Sequence, residues 1–224
     1  MLRHFRYGTI ARLSKALILG IVCLAAPARA ETVHILALGD SLTAGYGLMD
    51  EDGFVPQMRA WLAERGHDVR LVNGGVSGDT TAGGLARAEW SLAPEIGGMI
   101  VALGGNDMLR GIDPAVVRAN IEAILDIADQ HHVAVLLVGA LAPGNYGPEY
   151  KTAFDALYPE LAQSHGALFY ESFFKALIGD EGGSLAELSA LLQSDGLHPT
   201  AEGVRRIVAD MGPSVEALID RAAR

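Results

Sequence analysis

A serine hydroxyl attacks a carbonyl carbon only when a base takes its proton, so Ser41 has chemical meaning only through a histidine that can reach it. It stands in Gly39-Asp40-Ser41-Leu42, directly after an apolar run, where the glycine lets the chain turn and the hydroxyl project clear of a strand. Six histidines lie beyond residue 30. His34 is inside a strand-like run, and His67, His131, His132 and His165 fall at helix ends, where exposure or packing accounts for them. His198 differs: it belongs to the loop Ser194-Asp195-Gly196-Leu197-His198-Pro199. A carboxylate three residues upstream can accept the imidazole Nδ1 proton and leave Nε2 free as a base toward Ser41. The same spacing also describes a plain turn in which Asp195 caps the backbone, and taken alone it favours that simpler reading.

Other pairings are weaker. Asp40 and Asp107 sit on adjacent motif loops like the carboxylates of a glycosidase, but acidic residues beside such turns commonly bind backbone N–H groups. His131 and His132 are neighbours on a helix and point in different directions, so they cannot readily share one ion. No metal and no cofactor is expected.

The elements that must position these residues alternate. Short apolar runs at 33–38, 69–72, 99–103, 133–138 and 167–170 read as strands buried on both faces. Amphipathic stretches at 54–65, 80–89, 114–131, 150–165 and 200–222 read as helices, and 179–193 as a glycine-rich loop followed by a short helix. Such alternation predicts an α/β three-layer αβα sandwich, flavodoxin-like, around a central parallel sheet of about five strands. In open parallel sheets, sites form beyond the carboxyl ends of the strands. Gly39-Asp40-Ser41, then Asn73-Gly74-Gly75 with Ser77-Gly78-Asp79-Thr80, and then Gly104-Gly105-Asn106-Asp107 all fall on that rim.

Residues 1–30 read as a secretory leader. Arg3, Arg6, Arg12 and Lys15 precede an apolar run at 16–26, and Ala28-Arg29-Ala30 offers a small-x-small cleavage site. That run is well short of the roughly 20 residues a spanning helix needs, so no stable membrane anchor is expected. Gly20-Ile21-Val22 before Cys23 lacks a lipoprotein pattern. Cleavage after Ala30 would leave residues 31–224, enough for one α/β domain, in the periplasm or outside the cell. It would also remove the only cysteine and with it any disulfide, thiol nucleophile or thiolate metal site. Without the leader's five basic residues, 12 of the 17 Lys and Arg remain against 27 Asp and Glu. So acidic a surface argues against nucleic acid and anionic membrane as partners.

Read together, the blocks Gly39-Asp40-Ser41-Leu42, Ser77-Gly78-Asp79-Thr80, Gly104-Gly105-Asn106-Asp107 and Asp195-Gly196-Leu197-His198-Pro199 resemble the SGNH, or GDSL, hydrolase family in order and spacing. The resemblance spans nearly all of 31–224. It implies Ser41 as nucleophile, His198 as general base and then acid, and Asp195 as its orienting carboxylate. It further implies an oxyanion hole formed by the Ser41 and Gly78 backbone N–H groups and the Asn106 side-chain amide. The α/β-hydrolase pattern G-x-S-x-G fits less well, because Thr43 takes the second glycine's place and the acid and histidine are too close in sequence.

Three loop stretches, 73–80, 103–111 and 143–147, are most similar to the periplasmic acyl-CoA thioesterase, lysophospholipase and arylesterase branch. That likeness implies a small-molecule acyl ester or thioester as substrate, with Met108, Leu109, Pro143 and Tyr146 as walls around the acyl chain. A monomer is expected. Two alternatives stand beside this reading. One is a carbohydrate O-deacetylase on the same fold, although Trp61 and Trp90 both fall in helical stretches. The other is a non-catalytic flavodoxin-like binding module.

Overall fold

Among the described residues five strands form one sheet, in the order second, first, third, fourth, fifth of the chain, so the first strand is an interior one, and every pairing is parallel. The structure, a computed structural model, describes residues 32–178 and 185–224. The expected leader and the glycines at the start of the 179–193 stretch lie outside the described residues. The strands are β1 (Val33–Gly39), β2 (Val69–Gly75), β3 (Ile96–Ala102), β4 (Ala134–Val138) and β5 (Leu168–Tyr170). The helices are α1 (Ser41–Ala44), α2 (Phe54–Glu64), α3 (Thr81–Ser91), α4 (Gly105–Leu109), α5 (Pro114–Gln130), α6 (Pro148–Ser164), α7 (Lys175–Ile178), α8 (Leu185–Leu191) and α9 (Ala201–Ala222).

The apolar runs form these strands because both faces are covered. Along β1, Ile35 and Ala37 point to the layer of α2 and α9, while Leu36 and Leu38 point to the layer of α3, α5 and α6. Along β3 the same alternation places Ile100 and Ala102 on one side, Met99 and Val101 on the other. The α9 stripe of Val204, Ile207, Val208, Met211, Val215 and Leu218 follows the helical period and is almost entirely buried. Each large aliphatic so buried stabilises by about 1.5–3 kcal/mol relative to exposure.

The five long helices match the periodic stretches to within two residues, and three shorter ones were not signalled by the sequence. α1 and α4 are one turn each, too short to show a period, yet both carry motif residues: Ser41 and Asn106 lie in helical first turns rather than open loops. α7 follows β5. β1 lies where the chain reverses its course across the sheet, going to β2 through α2 on one face and from β2 to β3 through α3 on the other. The crevice beyond the ends of β1 and β3 is thus the topological switch point, where ligands bind in such sheets.

Candidate active site

Gly39 ends β1 and Asp40 caps α1, its carboxylate accepting from the Leu42 N–H at 3.0 Å. This cap starts α1 immediately after the strand and puts Ser41 in its first turn, at the mouth of the crevice. From the far end of the chain, residues 193–199 fold over the same rim. Leu192 and Pro199 form an antiparallel bridge, the Thr200 N–H donates to the Leu191 carbonyl at 2.8 Å, and Gln193 donates to the carbonyls of Tyr46 at 2.8 Å and Pro199 at 3.0 Å. Those bonds tie the His198 loop to the loop after α1.

There the three residues meet. His198 Nε2 lies 2.8 Å from Ser41 Oγ and His198 Nδ1 lies 2.7 Å from Asp195 Oδ2, although Ser41 and His198 are 157 residues apart. The other Asp195 oxygen accepts from the backbone N–H groups of His198 at 3.0 Å and Leu197 at 2.9 Å. So Asp195 both caps its turn and faces the imidazole, and the two readings of that spacing coexist in one geometry. The backbone N–H of His198, its ring and the Leu197 N–H hold the Asp195 carboxyl down at about 2. It is therefore ionised across the neutral range and fixes Nδ1 as the protonated nitrogen. Tyr46 packs its ring on His198, with centroids 4.6 Å apart.

The three residues expected to form the oxyanion hole, Ser41, Gly78 and Asn106, line one pocket together with His198. Among the described residues neither the Ser41 N–H nor the Gly78 N–H has an acceptor. The Asn106 amide donates one N–H to Asp40 Oδ2 at 3.2 Å and keeps a second, as its two-proton amide allows. Gly78 is required by its backbone, with φ of +81°, more than by space, since a Cβ there would meet nothing nearer than Arg110 Nη2 at 4.0 Å. Burial pushes the Asp40 carboxyl up to about 6, against the pull of the Leu42 and Asn106 hydrogen bonds. Asp107 is fully buried and accepts from Thr81 through both N–H and Oγ1, at 2.8 and 2.6 Å, which anchors α4 to α3. Neither carboxylate is free for glycosidase chemistry.

The crevice has two adjoining lobes. One of ≈ 190 Å³ holds Ser41, Gly78, Asn106 and His198 with Met108, Leu109 and Leu197. The other, ≈ 170 Å³ and mostly apolar, runs from Leu42 and Met108 past Val138, Gly139, Ala140 and Leu141 to Phe173 and Ile178. Asp40, Leu42, Gly105, Met108 and Phe174 belong to both. Of the four residues expected as walls, Met108 and Leu109 line the cleft. Pro143 and Tyr146 line neither lobe: the 3-10 turn Gly144–Tyr146 folds back, so Tyr146 packs on Tyr150 and donates to the Leu109 carbonyl at 3.3 Å. It braces the end of α4, which carries Leu109, and residues 138–141, ahead of it in the chain, supply the wall. Tyr46, Phe174 and Gln193 carried no sequence signal; their part in the site comes from packing.

Metal-binding geometry lies elsewhere. Asp126, Asp129 and His165 each bring a ligand atom within 4.8 Å of the others, at the amino-end rim of the sheet, opposite Ser41. His165 Nδ1 already sits 2.7 Å from Asp129 Oδ2, so a hydrogen bond between the two side chains accounts for that contact.

Residues 37–206, which include all four motif blocks, match the model of the GDSL-like lipase/acylhydrolase family. The chain belongs to that family. Its membership makes it a carboxylic ester hydrolase, and the binding-module alternative falls away. Over 202 residues it is 36% identical to the esterase TesA of Pseudomonas aeruginosa, covering 90% of this chain and 96% of that one. It is 30% identical over 188 residues to an Escherichia coli protein named thioesterase 1/protease 1/lysophospholipase L1, covering 83% of this chain and 85% of that protein. The crystal structure of the psychrotrophic esterase EstA from Pseudoalteromonas sp., at 29% identity, superposes with a TM-score of 0.75 over 84% of this chain and 98% of that one. No helix among the described residues is long and apolar enough to cross a membrane.

Proposed function

We propose that this enzyme is an exported esterase and thioesterase that opens short- to medium-chain acyl esters through an acyl-enzyme on Ser41. The observation that carries the reading is the continuous relay from Asp195 Oδ2 through His198 to Ser41 Oγ, in hydrogen bonds of 2.7 and 2.8 Å, in the lining of an apolar cleft. In the first half-reaction Ser41 Oγ attacks the acyl carbon while His198 Nε2 takes its proton. The tetrahedral oxyanion is met by the N–H groups of Ser41 and Gly78 and the second Asn106 N–H, each such donor being worth about 10²- to 10³-fold in rate. The imidazolium returns its proton to the departing alkoxide or thiolate. Water, deprotonated by the same nitrogen, then attacks the acyl-serine, and the imidazolium returns that proton to Ser41 Oγ as the acyl C–O bond breaks and the acid leaves.

The apolar lobe beyond Met108 is the natural place for the acyl chain, and the open side beside Tyr46 and Leu197 for the leaving group. This lining favours acyl chains over sugars. Neither tryptophan lines the cleft: Trp61 packs on Gly212 and beneath Arg65, and Trp90 is exposed on α3. Export rests on the sequence pattern of residues 1–30.

The test is hydrolysis of p-nitrophenyl acetate, butyrate and octanoate and of the matching acyl-CoA thioesters, by wild type, Ser41→Ala and His198→Ala. Turnover by wild type and a fall of about 10⁴-fold or more in both variants is expected. An inert wild type, or a Ser41→Ala variant as active as wild type, would overturn the reading.

A further inference from the structure

Where β1 and β2 end, their ladder opens and the two chains part, one toward Ser41 and the other toward Gly78. The last paired residues are Gly39 and Gly75. Arg87 of α3 reaches into this fork from below and fills it with three hydrogen bonds. Its Nη2 donates to the Gly39 carbonyl at 2.8 Å, two residues before Ser41. Its Nη1 donates to the Gly74 carbonyl at 2.7 Å, at the end of β2. Its Nε donates to Asp79 Oδ2 at 2.8 Å, the residue next to Gly78. The Arg87 and Asp79 side chains are each only 12% exposed, so solvent screens the fork little.

We infer that Arg87 is the positioning residue that sets the distance between the nucleophile and the Gly78 N–H. The inference rests on the acyl-enzyme reading of Ser41 and Gly78. Its physical basis is that a planar guanidinium presents donors in fixed directions, here toward three acceptors on the two segments that bear those groups. Among the described residues no other side chain spans both segments in this way: the backbone bond from the Val76 N–H to the Gly39 carbonyl, at 3.0 Å, joins them once, and Arg87 joins them again. Gly83 belongs to the same arrangement, because a Cβ there would stand 1.8 Å from Asp79 Oδ1 and push that carboxylate off the α3 first turn. A lysine at 87 keeps the charge but offers a point donor that cannot satisfy all three acceptors in their present directions.

A positioning role and a merely structural one differ in what they change. The oxyanion donors matter most in the transition state, so a shift of Gly78 relative to Ser41 lowers kcat while leaving ground-state binding in the apolar lobe alone. A misplacement of about 1 Å is worth about 10²-fold. Arg87→Lys, Asp79→Asn and Arg87→Ala are compared with wild type and Ser41→Ala by circular dichroism, thermal melting and p-nitrophenyl butyrate kinetics, with and without added methylguanidinium. Folded Arg87→Lys is expected to lose about 10²-fold in kcat with KM within about threefold, and Asp79→Asn about tenfold. Methylguanidinium should restore part of kcat to Arg87→Ala and none to Ser41→Ala. If wild type is inert, the acyl-enzyme reading has failed; if wild type is active, the inference about Arg87 fails when a folded Arg87→Lys or Asp79→Asn keeps kcat within threefold, or when the loss lies in KM. Should Arg87→Lys not fold, Asp79→Asn and the rescue of Arg87→Ala decide by the same criteria.

Discussion

Replacing Asp40 by asparagine removes one titrating group from beside the nucleophile while keeping the shape of the side chain. In the folded protein burial holds this carboxyl at about 6, against 3.8 for an unhindered aspartate. Between those values the native state keeps a proton that the unfolded chain has released, so stability falls as pH rises through the window, and the cost is complete above about 6. The difference amounts to about 3 kcal/mol. The asparagine variant has no such loss. Its amide oxygen can still accept from the Leu42 N–H, and any offset from the altered bond with Asn106 is the same at every pH. The quantity to measure is therefore the gap in unfolding free energy between Asp40→Asn and wild type, from urea titrations followed by tryptophan fluorescence at pH 3.5, 5 and 7.5. All other titrating groups are shared and largely cancel. The gap should move by about 3 kcal/mol in favour of the variant from pH 3.5 to 7.5. A gap that stays flat, or moves the other way, would refute the reasoning that burial rather than hydrogen bonding dominates at Asp40.

Further outcomes follow from the same geometry. Asp195→Asn should lower kcat by about 10³- to 10⁴-fold on p-nitrophenyl butyrate, because the amide no longer fixes the Nδ1–H tautomer. Asp195, held at about 2, also contributes stability that is complete above 3.8 and lost as pH falls through about 2, so the variant's acid unfolding should lack that component. Gly104→Ala should destabilise by about 3 kcal/mol or more in urea titration, from left-handed strain plus overpacking. The backbone there has φ of +110°, and the new Cβ would stand 1.9 Å from the Tyr158 hydroxyl, which is buried and donates to the Leu103 carbonyl. A stable Gly104→Ala enzyme with unchanged kcat would show that α4 does not depend on this turn.

What was legible in the sequence is what local physics encodes. Runs such as 33–38 and 99–103 are apolar on consecutive residues because both sheet faces are covered, and the period of α9 is visible because one stripe of it is buried. The Asp195–His198 pair was legible for the same reason, since three residues of one turn suffice to bring carboxylate and imidazole together. The turn and relay readings of that pair could not be separated by spacing, and the structure shows one geometry serving both. Chain order could not bring His198 to Ser41. That took the strand order, with β1 inside the sheet between β2 and β3, and the bonds of Gln193 and Thr200 that draw the last loop over the rim.

Other features were hidden because their partners are backbone atoms or shapes. The acceptors of Arg87 are two carbonyls and one carboxylate, and a carbonyl looks the same at every position in a sequence. α1 and α4 are shorter than two helical turns, so no period announces them, and only the caps at Asp40 and Gly104 start them. Tyr146 was expected at the cleft, but packing against Tyr150 and the bond to the Leu109 carbonyl turn it away from both lobes. Residue types and short spacings thus determined the chemistry available to this chain. Tertiary packing decided which groups meet, because distances between residues far apart in sequence are set by strand order, helix layers and the few backbone bonds that clamp one loop against another.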